Sequence, residues 1–452
     1  MSAHESGRAP SVLHVSGSEL LSSDAAQDIG ARVVTSLFRS GVSPRSTVVF
    51  QAPNSATLLA GIYGALLSEL APVVISEKLN DRETREILSG LPESMIITEA
   101  RLAEFARPRE SETDSLSENF ACRPIHFTSG TSGKPKGVWG GWLSNVDADA
   151  LAKEERDAWG LLRSDVHLVS GPLSHSAPLR FALNTLLNGG QVVVPARFEP
   201  SVISGLLLSG LVTTSFMAPV HMQRLFDAAP PSRTSLRLLA HAGSPCPDQL
   251  RLAAIDCFGL DVLYEFYGST EGQFTLCSAR EWQEHPGTVG RARLGREIRI
   301  DDDGRIWCKV PPFARFEYWG DPRQTSQAWN GSWFTVGDLG RLDEDGYLYL
   351  EGRRTDLIIS GGVNVYPAEV ERVLSELHGV SEIAVFGIDD VEWGQRVCAV
   401  YVGSASEQSV FDYCHEALAP PKRPKSIVKV AELPITHQGK VDRGALASLV
   451  ET

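Results

Sequence analysis

The sequence predicts a large α/β N-terminal domain, with parallel sheets, flanking helices and a small β-barrel-like subdomain, followed by a small α+β C-terminal domain. Three observations carry this. Apolar strand-like runs alternate with helical patterns from residue 47 to residue 266, as in a parallel sheet covered by helices. From Gly287 short strands are separated by turns such as Asp302-Asp303-Gly304 and residues 343–346, the pattern of antiparallel pairs. Around residues 352–356 the character changes again to mixed strands and helices. A length of 452 residues exceeds one ordinary core, so two or three domains are expected. The boundary is placed near residue 354, giving domains 1–353 and 354–452.

The elements follow in order. Residues 1–17 read as a loose terminus ending in a short apolar strand. Residues 24–39 carry Ile29, Val33, Val34, Leu37 and Phe38 at helical spacing. Strands are expected at 47–51, 71–75 and 95–98, with an apolar helix over 55–67. Residues 107–119 are polar and aperiodic, an exposed loop. Residues 145–159 are amphipathic. Strands at 166–170, 191–195, 213–217, 236–241 and 261–266 then alternate with helices at 178–187, 201–208, 220–226 and 247–258. In such sheets ligands gather where strands end, and the segments after His175, at 243–245 and at 267–271 all fall there. Beyond the barrel-like stretch, which includes strands at 340–342 and 347–350, come strands at 357–360, 383–387 and 397–402 and helices at 367–377 and 408–417. A basic, proline-rich turn occupies 420–425.

Bulk composition narrows the function. With 42% hydrophobic and 22% charged residues the chain is a globular enzyme type. A net charge of −14 argues against a general nucleic-acid binder. The seven cysteines are scattered without a CxxC pair, which argues against a disulfide framework or zinc site and fits a reducing cytoplasm. The polar N-terminus has no signal core, and the longest apolar runs, such as 57–67, are too short to span a bilayer. No integral membrane segment and a cytoplasmic location are expected.

Several motifs carry chemistry. Phe127-Thr128-Ser129-Gly130-Thr131-Ser132-Gly133-Lys134-Pro135-Lys136-Gly137-Val138 crowds glycines, hydroxyls and a lysine into one stretch. Glycine lets backbone N–H groups line an anion, hydroxyls add donors and Lys136 adds charge. It is a phosphate loop by chemistry and lacks the triplet and spacing of a Walker A loop, which weakens a P-loop kinase reading; read alone, such a stretch is also a flexible connection. Tyr267-Gly268-Ser269-Thr270-Glu271 places a hydroxyl and a carboxylate at a turn; Glu271 suits magnesium, Tyr267 a purine, and Thr270 a phosphate or acyl oxygen, whereas alone it is also a surface turn. Asp338, after residues 333–336, suits a ribose diol or caps a turn. Arg353 suits a ribose or phosphate, or is a linker arginine. Lys440 in the C-terminal loop 433–443 is free to project or is a solvated charge. His175, between a strand and Ser176-Ala177-Pro178, gates a pocket or fills the rim of one.

Taken together, in order from about residue 47 to residue 443, these pieces resemble the adenylate-forming superfamily of acyl-CoA synthetases, peptide-synthetase adenylation domains and firefly luciferase. In that resemblance residues 127–138 form the phosphate loop and Pro172–His175 the aromatic/histidine gate. Gly243, Ser244 and Pro245 fall on the adenine loop, and residues 267–271 on the Tyr-Gly-x-Thr-Glu motif. Asp338 falls on the ribose carboxylate, Arg353 on the linker arginine, Gly361-Gly362 on the pantetheine-tunnel loop and Lys440 on the catalytic lysine. Three departures stand out: Thr355, followed by Asp356, occupies the hinge position usually held by Asp or Lys; Val336 stands where Thr is common; and the region before the phosphate loop is shorter than in most relatives.

The resemblance implies a two-step reaction using ATP, magnesium and coenzyme A. A carboxylate attacks the α-phosphate to give an acyl-adenylate and pyrophosphate; the C-terminal domain, a mobile lid, then rotates and a thiol attacks the acyl carbonyl. Lys440 bridges carboxylate and phosphate oxygens in the first step, and Glu271 holds the metal. No acidic residue follows the gate in 174–181, which argues against an amino-acid substrate, and the run from His175 to Pro178 resembles bacterial acyl-CoA synthetases of bulky apolar acids. Candidate pocket residues are Phe181, Phe216, Met217, Ala218, Pro219 and His241; Arg180 either binds a second carboxylate or faces solvent. The acceptor thiol is expected to be separate, with coenzyme A favoured over a carrier protein. The alternatives are a stand-alone enzyme loading a carrier protein and an inactive ligand-binding relative, against which Lys136, Glu271, Asp338 and Lys440 argue.

Overall fold

The computed structural model describes residues 12–15, 17–79, 81–108, 115–129, 135–232, 234–353, 356, 358–360, 363–390, 393–418, 420–436 and 441–450. Its first layer is a three-stranded parallel sheet in which Thr47–Gln51 lies between Ala71–Val74 and Met95–Thr98. Ser22 caps the helix Ser23–Arg39 by accepting from the Ala25 amide, and Ser55 caps Ala56–Leu66 by accepting from Leu58. These helices cross where both carry glycine: a Cβ at Gly64 would lie 2.6 Å from Gly30 Cα. The small residues of the expected helix 55–67 are therefore the surface of a close crossing.

The central sheet has nine strands. Its middle runs parallel in the order Gln191–Val194, Val166–Val169, Thr214–Met217, Leu238–His241, Leu263–Glu265. Both edges are antiparallel: Ser18–Ser22 pairs with Gln191–Val194, and Thr275–Ser278 with Leu263–Glu265. The strand Ser18–Ser22 and the helices Asp81–Ser89 and Glu99–Phe105 are absent from the sequence reading, because each is short and holds only two large apolar residues, too few for a period to stand out.

The antiparallel part is a four-stranded sheet, Glu297–Ile300, Ile306–Lys309, Trp333–Phe334 and Trp329–Asn330, beside the pair Asp338–Leu342 and Leu348–Arg353. The phosphate-loop stretch joins two antiparallel strands, His126–Ser129 and Pro135–Trp139, and the second pairs with Glu317–Tyr318. The loop thus belongs to a hairpin braced by the antiparallel region. From Ile358 onward a separate sheet is built on Val380–Asp390 and Gly394–Gly403, with Ser426–Lys429 parallel to the latter and its own apolar cluster around Val385, Val397 and Tyr401. Among the described residues no helix is long and apolar enough to cross a membrane.

Candidate active site

Glu271 sits in the turn of a hairpin formed by Gly268–Ser269 and Gly272–Gln273. A Cβ at Gly268 would fall 2.6 Å from the Gly272 carbonyl oxygen, so the hairpin closes only with glycine there. The turn points its carboxylate at the phosphate hairpin. Lys136 Nζ lies 3.4 Å from Glu271 Oε1, and the Tyr318 hydroxyl donates to the same oxygen at 2.8 Å. Lys136 Nζ also stands 4.3 Å from the centre of the Tyr318 ring, a cation–π contact. Burial by itself pushes the Glu271 carboxyl up; Lys136 and the Tyr318 hydroxyl overcome it and hold the group below the usual carboxylate range. Glu271 is therefore a buried, ionised carboxylate whose Oε2 these two groups do not occupy.

A second pair lies close by. The Tyr267 hydroxyl donates to Asp338 Oδ2 at 2.6 Å, and its ring packs on Phe274 with centroids 4.9 Å apart. Asp338 opens its strand just after Gly337, whose φ is +85°, and is paired in register with Arg353. The carboxylate and the arginine position predicted separately are thus neighbours across one ladder.

His175, expected at the gate, caps the helix Ser176–Leu187, and its amide donates to the Pro172 carbonyl at 3.0 Å. Gly243, Ser244 and Pro245 are exposed between the strand Leu238–His241 and the helix Asp248–Phe258, with Gly243 at φ +99°. Thr270 adjoins Glu271 in the same turn, half-buried. Thr128 Oγ1 is buried with no hydrogen-bond partner among the described residues, an open donor at the mouth of the loop. Gly130, Thr131, Ser132, Gly133, Gly361, Gly362, Thr355 and Lys440 lie outside the described residues, as do the side chains of Ser129 and Arg353.

Two readings of the acid site are corrected. The six pocket candidates do not line one space. Phe216 and Met217 are successive strand residues and face opposite sides of the sheet. Phe216 joins Phe181, Trp159 and Phe266 in one aromatic cluster, whereas Met217 packs with Met222 and Leu225. His241 shares the Met217 face, being in register with it, and sits within 4.0 Å of Glu265, itself paired with Arg251 at 2.7 Å. Burial holds the His241 imidazole well below its ordinary value. Ala218 and Pro219 cap and begin the helix Pro219–Ala228. Arg180 is already paired within the protein: its Nε and Nη2 donate to Glu155 at 2.8 and 2.9 Å, and Arg293 reaches the same carboxylate at 3.2 Å.

The sequence reading did not single out Tyr318, nor Asn54 and His126, whose side chains contact the backbone of Gly171, Leu173 and Ser174. Tyr318 stands 47 residues from Glu271, and no local pattern links them. His126 directly precedes the loop motif, and its histidine side chain was the available signal.

Among the described residues no three His, Cys, Asp or Glu gather into a metal cage. A single buried carboxylate beside the hairpin that carries the expected phosphate loop nonetheless fits magnesium, which commonly binds through one or two carboxylates plus substrate phosphates and water.

Residues 122–309 match the family described as AMP-binding enzyme, and residues 369–440 its C-terminal domain. The chain is 34% identical over 367 residues to a 2-succinylbenzoate–CoA ligase of Bacillus thuringiensis subsp. konkukian, covering 75% of this chain and 73% of the relative. It is 28% identical over 457 residues to the long-chain-fatty-acid–CoA ligase FadD13 of Mycobacterium tuberculosis, covering 91% and 89%. Among solved structures, o-succinylbenzoate CoA synthetase from Bacillus subtilis bound to its acyl-adenylate matches with TM-score 0.82 and 26% identity, covering 93% of this chain and 92% of that one. The same enzyme with ATP and magnesium ion matches with TM-score 0.81 and 26% identity over 94% of each chain. The chain belongs to the AMP-binding enzyme family, the adenylate-forming superfamily that its motifs resemble.

Proposed function

We propose that this chain is an ATP-dependent, AMP-forming acyl-CoA synthetase that activates a bulky apolar carboxylic acid. The observation that carries the reading is the buried, ionised Glu271 held by Lys136 and Tyr318 against the phosphate hairpin. In the first step a carboxylate oxygen of the acid attacks the α-phosphorus and the bond to the β-phosphate oxygen breaks, leaving acyl-AMP and pyrophosphate. Thr128 and Lys136 serve the departing phosphates as donors, and Asp338, oriented by Tyr267, takes the ribose hydroxyls. Magnesium, held through Glu271, neutralises phosphate charge when bound. Little covalent work falls to the protein, so positioning and preorganised charge account for the rate. In the second step the coenzyme A thiol loses its proton, its sulfur attacks the acyl carbonyl, and AMP leaves.

The residues outside the described set keep the roles their motifs suggest: Gly130 to Gly133 cradle phosphate, Lys440 bridges the reacting oxygens, and Gly361-Gly362 admits the pantetheine arm as the unit beyond residue 354 turns. The apolar side chains Phe181, Phe216, Trp159 and Phe266 packed beside the helix that follows His175 favour an apolar acyl portion; of the acids named for the relatives, long-chain fatty acids are apolar and 2-succinylbenzoate is an aromatic diacid.

The test is pyrophosphate release over a panel of aromatic and fatty acids, with coenzyme A or a carrier protein as acceptor, read by mass spectrometry. The reading expects thioester with free coenzyme A. Thioester only on the carrier protein replaces the acceptor, and no acid-dependent pyrophosphate with any acid defeats the reading. Lys440→Ala is expected to lose adenylate formation while still converting preformed adenylate to thioester; equal loss of both half-reactions contradicts its role.

A further inference from the structure

The gate loop 171–175 is tied at three backbone points to two different sheets. Asn54, just beyond the strand Thr47–Gln51, donates from Nδ2 to the Gly171 carbonyl at 3.0 Å and accepts from the Leu173 amide at 2.9 Å. On the other side, His126 Nδ1 lies 3.3 Å from the Ser174 carbonyl oxygen. A carbonyl only accepts, so Nδ1 is the protonated nitrogen of that ring. Burial holds the imidazole down at about 4, so it is neutral at ordinary pH and keeps this single-donor arrangement. His126 itself is buried and fixed in strand register opposite Val138. It is the first residue of the strand that runs into the phosphate loop.

We propose that His126 and Asn54 are positioning residues that carry the state of the phosphate hairpin to the gate, His126 moving the Ser174 carbonyl with the hairpin while Asn54 anchors the start of the loop. The inference rests on the nucleotide-binding reading above. A triphosphate bound beside Thr128 and Lys136 shifts or stiffens the two strands that carry them. The His126–Ser174 bond passes that change to the residue before His175, while the Asn54 clamp keeps Gly171 and Leu173 still. The loop therefore responds at His175 and not as a whole. By linkage, the acid held behind the gate must in turn affect nucleotide binding. The Leu173 side chain is buried and Pro178 closes on Gly171, where an added Cβ would lie 3.0 Å from Pro178 Cγ, so the loop has little freedom to respond elsewhere.

Hydrogen–deuterium exchange on the full chain tests this, with α,β-methylene-ATP and magnesium as the probe and no acid present. In the natural protein the nucleotide is expected to slow exchange both in residues 126–139 and in residues 171–179, the latter by about fivefold or more, the lower end of ordinary coupling. His126→Leu is expected to keep the first effect and lose the second. His126→Gln, which retains a side-chain donor, is expected to keep both and serves if the leucine variant folds poorly. Asn54→Ala is expected to raise exchange at 171–173 with or without nucleotide. Full nucleotide protection of 171–179 in His126→Leu overturns the proposal. Absence of protection at 126–139 in the natural protein means that no nucleotide sits there, and overturns the functional reading beneath it.

Discussion

Tyr318 donates its hydroxyl to Glu271 Oε1 at 2.8 Å, and that oxygen also faces Lys136 Nζ at 3.4 Å. The phosphate hairpin, the Glu271 hairpin and the antiparallel subdomain meet at this one carboxylate oxygen. Tyr318→Phe keeps the ring under Lys136 and removes only the hydroxyl. A hydrogen bond to a charged group contributes about 1.5–3 kcal/mol. A fall in kcat/KM of roughly tenfold or more, with a higher magnesium concentration for half-maximal rate, is expected. Magnesium titration of pyrophosphate release checks it; an unchanged magnesium midpoint contradicts the role given to Tyr318.

Arg180 is structural. Arg180→Met leaves Glu155 with Arg293 as its remaining partner at 3.2 Å, and losing a hydrogen bond to a charged group costs about 1.5–3 kcal/mol. The urea midpoint should fall, while the preference between monoacids and diacids stays as in the natural protein. A selective loss of diacid turnover would restore Arg180 to the acid site.

The buried histidines set an acid limit on stability. Burial lowers His167 to about 3 and His126 to about 4. The unfolded chain takes up these protons near pH 6.5 and the folded chain does not, so their contribution is intact above pH 6.5. It is lost as pH falls toward the folded values. From pH 7 to pH 5, His167 alone is expected to account for about 2 kcal/mol of lost stability. His167→Gln should flatten the dependence by that amount in denaturant titrations at the two pH values; an unchanged slope contradicts the assignment. Its Nδ1 lies 3.0 Å from Thr214 Oγ1, so the variant starts from a lower plateau at pH 7.

Gly64→Ala addresses the fold apart from the site. Its Cβ would meet Gly30 Cα and the Gly30 carbonyl oxygen, both at 2.6 Å. Overpacking of this kind costs about 1–3 kcal/mol. A lower melting temperature with unaltered KM for ATP is expected; a variant that melts as the natural protein does would show that the crossing relaxes freely.

What the sequence reveals follows how local the physics is. The helix Ser23–Arg39 is legible because its cap and its apolar stripe are local, and the parallel strands because they are apolar runs buried on both faces. Ser18–Ser22 is not, since its partner Gln191–Val194 lies far along the chain. The motifs around Tyr267 and Asp338 stand out in the sequence one by one, but the 2.6 Å bond that joins the two side chains does not. Strand alternation explains the failure at the acid pocket: Phe216 and Met217 look alike in composition and point opposite ways. Arg180 was misread because Glu155, its counter-ion, lies 25 residues earlier on another helix.

The most direct measurement is the nucleotide product formed when the chain turns over an acid in the presence of ATP, magnesium and coenzyme A. The account predicts AMP, pyrophosphate and acyl-CoA in equal amounts, with no AMP when the acid is omitted. ADP and phosphate as products, or AMP formed at the same rate without an acid, would contradict it.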